Sequence, residues 1–501
     1  MQIMPCSYHT GFPFDRIHIS RRADIMNQIY NPYMPNFEYV PDGEPHVFEN
    51  RLYVYGSHDC FGKFPFCHNS YVTYSAPVDD LTSWRYEGVI YPKKNDDPLS
   101  KNGRSDFYAP DVAKGNDGNY YLFYSYAWSS IISVCVSSSP KGPFIYLGHV
   151  HDASGKEYGM RKGDPFAFDP AIFVDDDGRI YLYSGFGAKT FFPQIPHGHK
   201  PQGSFVMELE NDMLTIKGEP KPLSILDNEG KMGFDHSFFE ASSMRKFFNQ
   251  YYFIYSSQAG HELCYATSSS PMGPFTYQGV LISNGDVGYK GRKKPLYPLG
   301  NNHGSLVKVH DDYFIFYHRH TNYTNTDRQA MAERIIPDEK GLFPQVEKTS
   351  QGLNRVPLLG KGEYPSSICS SLVPKEGNVF YPFFRPPFYS LTKTYITQAK
   401  KDNEKEETQY IHNVQDGLVI GYKYFDLSKT SRIHLHLKGR FKGSVSLSFD
   451  EREGKVSTTL FELKGEDKIP LDIPHGRDGS ALYLYFSGKG KCDFLSFDFE
   501  E

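Results

Sequence analysis

The stretch Asp169-Pro170-Ala171-Ile172-Phe173, followed after a turn by Ile180-Tyr181-Leu182-Tyr183-Ser184-Gly185, is one of five similar copies in this chain. Each copy begins with a polar pivot residue, continues through an extended segment and a tight turn, and ends in an aromatic-rich strand. The pivots follow one another at intervals of about sixty to seventy residues, and repetition at an even period predicts a repeat architecture. The pivots are Glu44, Asp111, Asp169, Glu240 and His303.

The outer parts of the repeats also match. Ser137-Ser138-Ser139-Pro140-Lys141-Gly142-Pro143-Phe144 in the second repeat is similar to Ser268-Ser269-Ser270-Pro271-Met272-Gly273-Pro274-Phe275 in the fourth. Each repeat therefore holds several short strands with turn signals between them, which is the pattern of a propeller blade. The sequence predicts an all-β protein in which a five-bladed β-propeller spans residues 30–355, after an N-terminal arm over residues 1–29.

Beyond residue 356 the pattern changes to strict alternation of apolar and polar residues. Ile433-His434-Leu435-His436-Leu437 and Leu482-Tyr483-Leu484-Tyr485-Phe486 are examples. Alternation over short runs with glycine-rich turns between them is typical of a β-sandwich. We therefore expect a second, jelly-roll-like sandwich domain over residues 356–501 and no long helix in either domain.

The composition excludes several classes of protein. The 501 residues include 54 basic and 59 acidic ones, with a net charge of -5, which is not the footprint of a nucleic-acid-binding protein. No apolar run approaches membrane-spanning length, and the first residues lack the pattern of a secretory signal. The 7 cysteines are odd in number and scattered, which favours a reducing compartment. We expect a cytoplasmic protein without nucleic-acid or membrane partners; the sequence does not indicate its oligomeric state.

The propeller geometry brings the pivots together. The first strand of each blade lines the axis, so residues at its start converge on one mouth of the central channel. Carboxylates gathered there lose solvent and repel one another, so at least one should have a raised pKa. Glycoside hydrolysis requires such a pair, one acid protonated and its partner ionised. His318 and His320 alternate near the end of a strand, which predicts that one of them faces solvent.

The motifs around two of these pivots resemble those of glycoside hydrolase family 43. Phe239-Glu240-Ala241-Ser242-Ser243-Met244 resembles the family's general-acid motif. Phe168-Asp169-Pro170-Ala171-Ile172-Phe173 resembles the motif of the aspartate that modulates the pKa of that acid. The resemblance implies that Glu240 is the general acid and that Asp169 tunes it.

Three further motifs extend the resemblance, in the family's order. Tyr108-Ala109-Pro110-Asp111-Val112 resembles the family's Trp-Ala-Pro-Asp-Val, with Tyr in place of Trp. His303 resembles an axial histidine that faces a central cation or water, and Arg328 resembles an arginine near the sugar. The resemblance implies that Tyr108, Asp111, His303 and Arg328 contact the substrate. Trp128, in a segment that opens on the same mouth, is a candidate sugar platform or a blade-packing residue.

The chain departs from the family at the general base. The family has Asp-Pro at the opening of the first blade, whereas this chain has Pro41-Asp42-Gly43-Glu44-Pro45. Matching the following proline selects Glu44, and matching the distance to Leu52-Tyr53 selects Asp42. A shift of two residues keeps both on one face of a strand. Both therefore remain candidates for the base.

The resemblance implies an inverting, exo-acting glycosidase that releases terminal α-L-arabinofuranosyl units from plant-derived oligosaccharides, with a β-xylosidase or a bifunctional enzyme as the alternative. A β-galactan-active enzyme and a non-catalytic sugar-binding propeller are further alternatives. No cofactor is required on this interpretation, although a structural calcium or other cation on the axis, with His303 as a ligand, is compatible with it. The C-terminal segment resembles carbohydrate-binding module family 6 but has no Trp, so sugar binding, docking and rim shaping all stay open for it.

Overall fold

The computed structural model describes residues 28–127, 129–160, 163–189, 202–383, 392–399, 409–451 and 454–501. The predicted arm lies outside the described residues except for its last two positions, and Trp128 lies outside them as well. Ile29 is buried in the apolar core between the first and fifth blades. The propeller domain therefore includes at least one residue that the sequence assigned to the arm.

Five mainly antiparallel sheets follow one another along the chain as the blades of a propeller. The first two blades are β1 (Glu44–Phe48), β2 (Arg51–Tyr55), β3 (Tyr71–Pro77) and β4 (Arg85–Tyr91), then β5 (Phe107–Lys114), β6 (Tyr120–Tyr126), β7 (Ile132–Ser137) and β8 (Ile145–His149). The third blade is β9 (Ala171–Val174), β10 (Ile180–Phe186), β11 (Gly203–Leu209) and β12 (Ile216–Pro222). The last two are β13 (Ile225–Leu226), β14 (Phe238–Phe247), β15 (Gln250–Ser257), β16 (Glu262–Ser268) and β17 (Phe275–Ser283), then β18 (Leu306–Val309), β19 (Asp312–His320) and β20 (Arg328–Ile335).

The aromatic-rich second strand of each blade is apolar on both faces because neighbouring blades pack against it. β6 and β10 are buried along their whole length, as continuous apolar runs predict. An apolar cluster fills each space between successive blades, and the cluster between the fifth and first blades closes the ring. Contributing pairs are Tyr55 with Leu122, Phe123 with Leu182, Tyr183 with Phe253, Tyr252 with Ile315, and Phe316 with Val54.

The remaining strands form one hydrogen-bonded system around a separate apolar core. Ile433, Leu435 and Leu437 are fully buried in this core, whereas His434 and His436 are only partly buried on the other face, as the alternation predicts. The strands are β21 (Leu358–Leu359), β22 (Gly362–Pro365), β23 (Ser371–Val373), β24 (Tyr395–Gln398), β25 (Gln409–Val414), β26 (Val419–Asp426), β27 (Arg432–Ser448), β28 (Ser457–Asp472) and β29 (Ser480–Glu500). The predicted all-β fold, a five-bladed propeller with a β-rich second domain, is confirmed.

Helix is almost absent from the part of the chain that the structure describes. Its helical segments are two single 3₁₀ turns, Tyr289–Gly291 and Ser366–Ile368. Within those same ranges no helix has the length and hydropathy to span a bilayer.

The second domain is tied to the propeller by buried polar contacts and reaches the side of its mouth. The guanidinium of Arg319, which is fully buried, donates to the carbonyl of Ser367 at 2.6 Å. The backbone N–H of Asn325 donates to the carbonyl of Pro382 at 2.9 Å. The rings of Phe383 and Phe66 pack edge to face with their centres 5.8 Å apart. These contacts place a segment of the second domain beside the fifth and first blades.

Candidate active site

The backbone is irregular where the innermost strands begin. Asp42, Asp169 and Ala241 have φ values of 57°, 46° and 66°, a left-handed conformation that is costly for residues other than glycine. β14 also changes register with β15 on both sides of Glu240. Bulges and left-handed residues redirect side chains at strand ends, and here they lie at or next to each of the acidic residues of the mouth.

Asp42, Asp169 and Glu240 lie together at this mouth, where each influences the ionisation of the others. Burial, followed by the charge of Asp169 and a smaller contribution from Asp42, raises the pKa of Glu240 to about 8. Burial also raises the pKa of Asp169 to about 6, against the opposing effect of His303. The backbone N–H of Ala241 donates to Asp169 Oδ2 at 3.1 Å. At neutral pH this arrangement combines a protonated Glu240 with a largely ionised Asp169.

Asp42 is held by a buried arginine from the fifth blade. Arg328 Nη1 donates to both carboxylate oxygens of Asp42, at 2.8 and 3.0 Å. His318 Nδ1 lies 3.4 Å from Asp42 Oδ1, while its Nε2 donates to the carbonyl of Asn301 at 2.7 Å. Burial and the charge of Arg328 hold the pKa of His318 well below its usual range. Asp42 therefore faces one permanent cation and one neutral imidazole.

Glu44, the other candidate base, lies further down the channel. Arg245 Nη2 donates to Glu44 Oε2 at 2.6 Å, and the hydroxyl of Ser243 donates to the same oxygen at 2.9 Å. Ser243 and Arg245 are three and five residues beyond Glu240 along β14, which runs away from the mouth. The two acids that the sequence could not separate thus occupy different levels of the axis.

His303 lies between these two levels. Its Nδ1 is 3.7 Å from Asp169 Oδ2 and its Nε2 is 3.6 Å from Glu44 Oε1. Burial lowers the pKa of His303, but its contact with Glu44 and the charges of Asp169 and Asp42 outweigh that effect and raise the pKa to about 9. The imidazole therefore carries positive charge on the axis at neutral pH.

Two groups at this place could contribute ligands to the structural cation that the family resemblance allows. Glu44 Oε1 is buried and has no hydrogen-bond partner within the described ranges. Carboxylate oxygen is a ligand that hard cations prefer, and His303 Nε2 would be the second ligand. A cation held by these two residues would supply the positive charge that the proton of His303 otherwise supplies, beneath the acids of the mouth.

Asp111, on the innermost strand of the second blade, is buried and bonded to the innermost strands of both neighbouring blades. Its Oδ1 accepts from His46 Nε2 of the first blade at 2.7 Å, and its Oδ2 accepts from the backbone N–H of Ile172 of the third blade at 2.9 Å. Burial alone would raise the pKa of Asp111, but the charge and hydrogen bond of His46 outweigh it and lower the pKa. In this arrangement Asp111 links the innermost strands of three blades.

A row of half-buried aromatic rings borders the mouth. The ring of Tyr108 packs edge to face on Phe66 and on Phe168, with ring centres 6.4 and 5.9 Å apart. Phe168 packs on Phe186 at 5.4 Å, and Phe186 packs on Phe239 at 5.1 Å. Since Phe168 and Phe239 directly precede Asp169 and Glu240 in the chain, the rings form an apolar wall next to the acids.

One sequence prediction about this region is wrong. His318 and His320 are both fully buried, although alternation at a strand end predicted that one would face solvent. The carbonyl and the side chain of Asn301 bind the two Nε2 atoms, at 2.7 and 2.9 Å. The loop that carries Asn301 covers both rings, and a strand pattern holds no information about such a loop.

Sequence reasoning also missed three residues of the site. Asp59 and Phe66 contact Arg328, and Arg245 pairs with Glu44. Asp59 lies in a segment, His58-Asp59-Cys60-Phe61, that the sequence predicts to open on the mouth, but nothing in the sequence singles it out as a site residue. Phe66 belongs to no pivot motif. Arg245 stands in the general-acid segment of Glu240, but only the folded chain shows its pairing with Glu44.

A propeller with a protonated acid and ionised carboxylates at one mouth defines the class of carbohydrate-hydrolysing enzymes that use two acids. The pattern of glycosyl hydrolases family 43 matches residues 41–343. A xylosidase/arabinosidase of Thermoclostridium stercorarium is 44% identical over 484 residues, covering 94% of this chain and 99% of the relative. A xylosidase/arabinosidase of Bacteroides ovatus is 32% identical and covers 57% of this chain and 87% of the relative.

Solved structures are similar as well. A family 43 β-xylosidase/α-arabinofuranosidase from a compost microbial metagenome, in complex with xylotriose, aligns at a TM-score of 0.50 and 26% identity, covering 62% of this chain and 96% of that one. An arabinoxylan arabinofuranohydrolase of Bacillus subtilis aligns over 94% of this chain and 97% of its own at a TM-score of 0.50 and 20% identity, which shows the fold alone. The present chain belongs to glycoside hydrolase family 43 and is a glycosidase.

Proposed function

We propose that this glycosidase removes terminal pentosyl units, both α-L-arabinofuranosyl and β-xylosyl, from oligosaccharides with inversion at the anomeric carbon. The observation that carries the proposal is Glu240, an acid that retains its proton at neutral pH beside Asp169 and on the same mouth as Asp42. A protonated and an ionised carboxyl flanking one bond are what inverting hydrolysis requires.

The roles follow from the charges at the mouth. Glu240 donates its proton to the glycosidic oxygen that leaves, and Asp42 accepts a proton from the water that attacks the opposite side of the sugar ring. Asp169 keeps Glu240 protonated through its negative charge. Arg328, bonded to both oxygens of Asp42, orients that carboxylate. Inversion requires roughly 6.5–9.5 Å between acid and base, to leave room for the water.

Glu44 is a weaker candidate for the base on this geometry. Asp42 is among the groups whose charge raises the pKa of Glu240, whereas Glu44 Oε2 accepts from Arg245 and Ser243 further down the channel. Glu44 therefore lies below the mouth, away from the water that attacks the sugar there.

The choice of pentose rests on the relatives and on the aromatic wall. The relatives that are 44% and 32% identical are both named xylosidase/arabinosidase, and the compost structure with a similar fold holds xylotriose. The rings of Tyr108, Phe168 and Phe239 offer an apolar surface beside the acids, suited to the apolar face of a sugar ring. Both lines of support favour a terminal pentosyl unit as the one that is released.

A panel of 4-nitrophenyl glycosides tests the proposal. We expect hydrolysis of the α-L-arabinofuranoside and the β-xyloside, and at least a hundredfold lower kcat/KM on the β-galactoside. Proton NMR of the xylose released from 4-nitrophenyl β-xyloside should show the α-anomer before mutarotation. Preference for the galactoside would overturn the pentose assignment, and initial release of β-xylose would overturn inversion.

A further inference from the structure

The guanidinium of Arg328 is shared between two carboxylates, and only one of them belongs to the proposed catalytic set. Asp59 binds two of the three guanidinium nitrogens. Arg328 Nε donates to Asp59 Oδ2 at 2.9 Å, and Nη2 donates to Asp59 Oδ1 at 3.0 Å. This parallel pair is the geometry that fixes the plane of a guanidinium. It leaves Nη1 as the nitrogen directed at Asp42.

Asp59 is itself held rigidly. Its Oδ1 also accepts from the backbone N–H of Cys67 at 2.9 Å, and its Oδ2 accepts from the backbone N–H of Arg328 at 3.3 Å. Its own N–H donates to the carbonyl of Tyr39 at 2.9 Å. The side chains of Asp59 and Arg328 are 1% and 3% exposed, so water does not compete for these bonds. The position of the Arg328 plane is therefore set from the side of the first blade.

One face of the planar guanidinium is covered by an aromatic ring. Arg328 Cζ lies 4.5 Å from the centre of the Phe66 ring. The stacked ring and the Asp59 fork together leave Nη1 little freedom other than to meet Asp42. A rigid arginine would hold the base in its reactive geometry, and misplacement of a catalytic group by about 1 Å can cost about a hundredfold in rate.

Asp59 also balances the charge of Arg328. Burial raises the pKa of Asp59, and the charge of Arg328 acts in the opposite direction. With Asp59 ionised, the single positive charge of Arg328 is divided between two carboxylates.

We propose that Asp59 is a positioning residue that aligns Arg328 on the catalytic base Asp42. The inference rests on the proposed function and extends it from the mouth to the segment between β2 and β3. It is distinct from a purely structural role, in which Asp59 would only neutralise a buried arginine and hold the loop.

The experiment compares Asp59→Asn and Asp59→Glu in the full chain, with Asp97→Asn as the matched control. Asp97 is a buried aspartate away from the mouth, bonded to Tyr124 and His149. For Asp59→Asn we expect kcat to fall about tenfold to a hundredfold while KM changes little. For Asp59→Glu, which keeps the charge but displaces the carboxylate, we expect a loss of kcat, again with KM little changed. Asp97→Asn should lower Tm without changing kcat or KM.

The possible results distinguish a positioning role of Asp59 from a purely structural one. If Asp59→Asn lowers Tm but leaves kcat and KM of the folded enzyme as in the wild type, the positioning role is excluded. If Asp59→Asn does not fold, wild-type kcat in Asp59→Glu excludes it equally. A wild type that hydrolyses the pentosides while Asp59→Asn matches it overturns only this inference, whereas a wild type inactive on the whole glycoside panel removes the proposed function as well.

Discussion

Arg245 Nη2 donates to Glu44 Oε2 at 2.6 Å, and this contact separates two acids that are only two residues apart in the chain. Glu44 is bonded to the fourth blade below the mouth, whereas Asp42 is bonded to Arg328 of the fifth blade at the mouth. Gly43 between them pairs with Gly304 in a parallel bridge, which joins the first blade to the fifth. The short segment that closes the propeller thus carries one acid on each level of the axis.

The two acids should respond differently to neutralisation. We expect Asp42→Asn to lower kcat about a hundredfold to ten-thousandfold, the usual contribution of a general base, and to lower Tm less than Glu44→Gln does, because Arg328 keeps its pair with Asp59. Glu44→Gln should instead leave Arg245 buried beside an uncharged partner, and breaking one side of a buried ion pair costs roughly 3–5 kcal/mol. Its Tm should fall by several degrees while kcat of the folded enzyme stays within tenfold.

Steady-state kinetics and calorimetry on both variants check this prediction, with Glu451→Gln as a control for loss of an ion pair far from the mouth. Glu451 pairs with Arg292 at 2.7 Å and is more exposed, so a smaller change in Tm is expected. A kcat loss in Glu44→Gln equal to that in Asp42→Asn would contradict the assignment of the base.

The general acid can be tested through the leaving group. Glu240→Gln should lower kcat on xylobiose about a hundredfold to ten-thousandfold, because the departing sugar oxygen needs a proton. The dinitrophenolate group of a dinitrophenyl xyloside leaves without protonation. Hydrolysis of that substrate should therefore be reduced far less. Equal losses on both substrates would argue against proton donation by Glu240, and KM for xylobiose serves as the control that binding is retained.

The pH dependence should reflect the pair formed by Glu240 and Asp169. Glu240 acts as an acid only while protonated, and its pKa is raised to about 8, so kcat/KM should fall as the pH rises through about 8. Asp169→Asn removes the negative charge that contributes to this rise. The basic limb of the profile should therefore move to lower pH in the variant, and the whole profile reports the coupled pair, not one residue.

Profiles of kcat/KM from pH 4 to 10 for wild type and Asp169→Asn provide the measurement. Asp175→Asn is a suitable control, since Asp175 is buried and paired with Lys246 at 2.6 Å away from the mouth. A basic limb that stays in place, or moves upward, in Asp169→Asn would show that Asp169 does not tune the acid.

Much of this protein could be predicted from its residues in order. Five copies of a pivot, turn and aromatic strand indicate five blades, because each blade needs the same alternation of strands and turns. The same pattern locates Asp169, Glu240 and His303, since each pivot begins an innermost strand. Strict alternation likewise predicts which side of β27 is buried, as Leu435 and His434 show.

Local order determined which residues begin each blade, but only the tertiary structure decided what those residues do. The strand pattern puts Asp42 and Glu44 on the same face and therefore does not separate them. Their roles depend on partners more than two hundred residues away, Arg328 and Arg245. The protonation of Glu240 depends in the same way on Asp169 and on burial. Hydrogen bonds, charges and desolvation act through space, and a pattern along the chain carries no distances between blades.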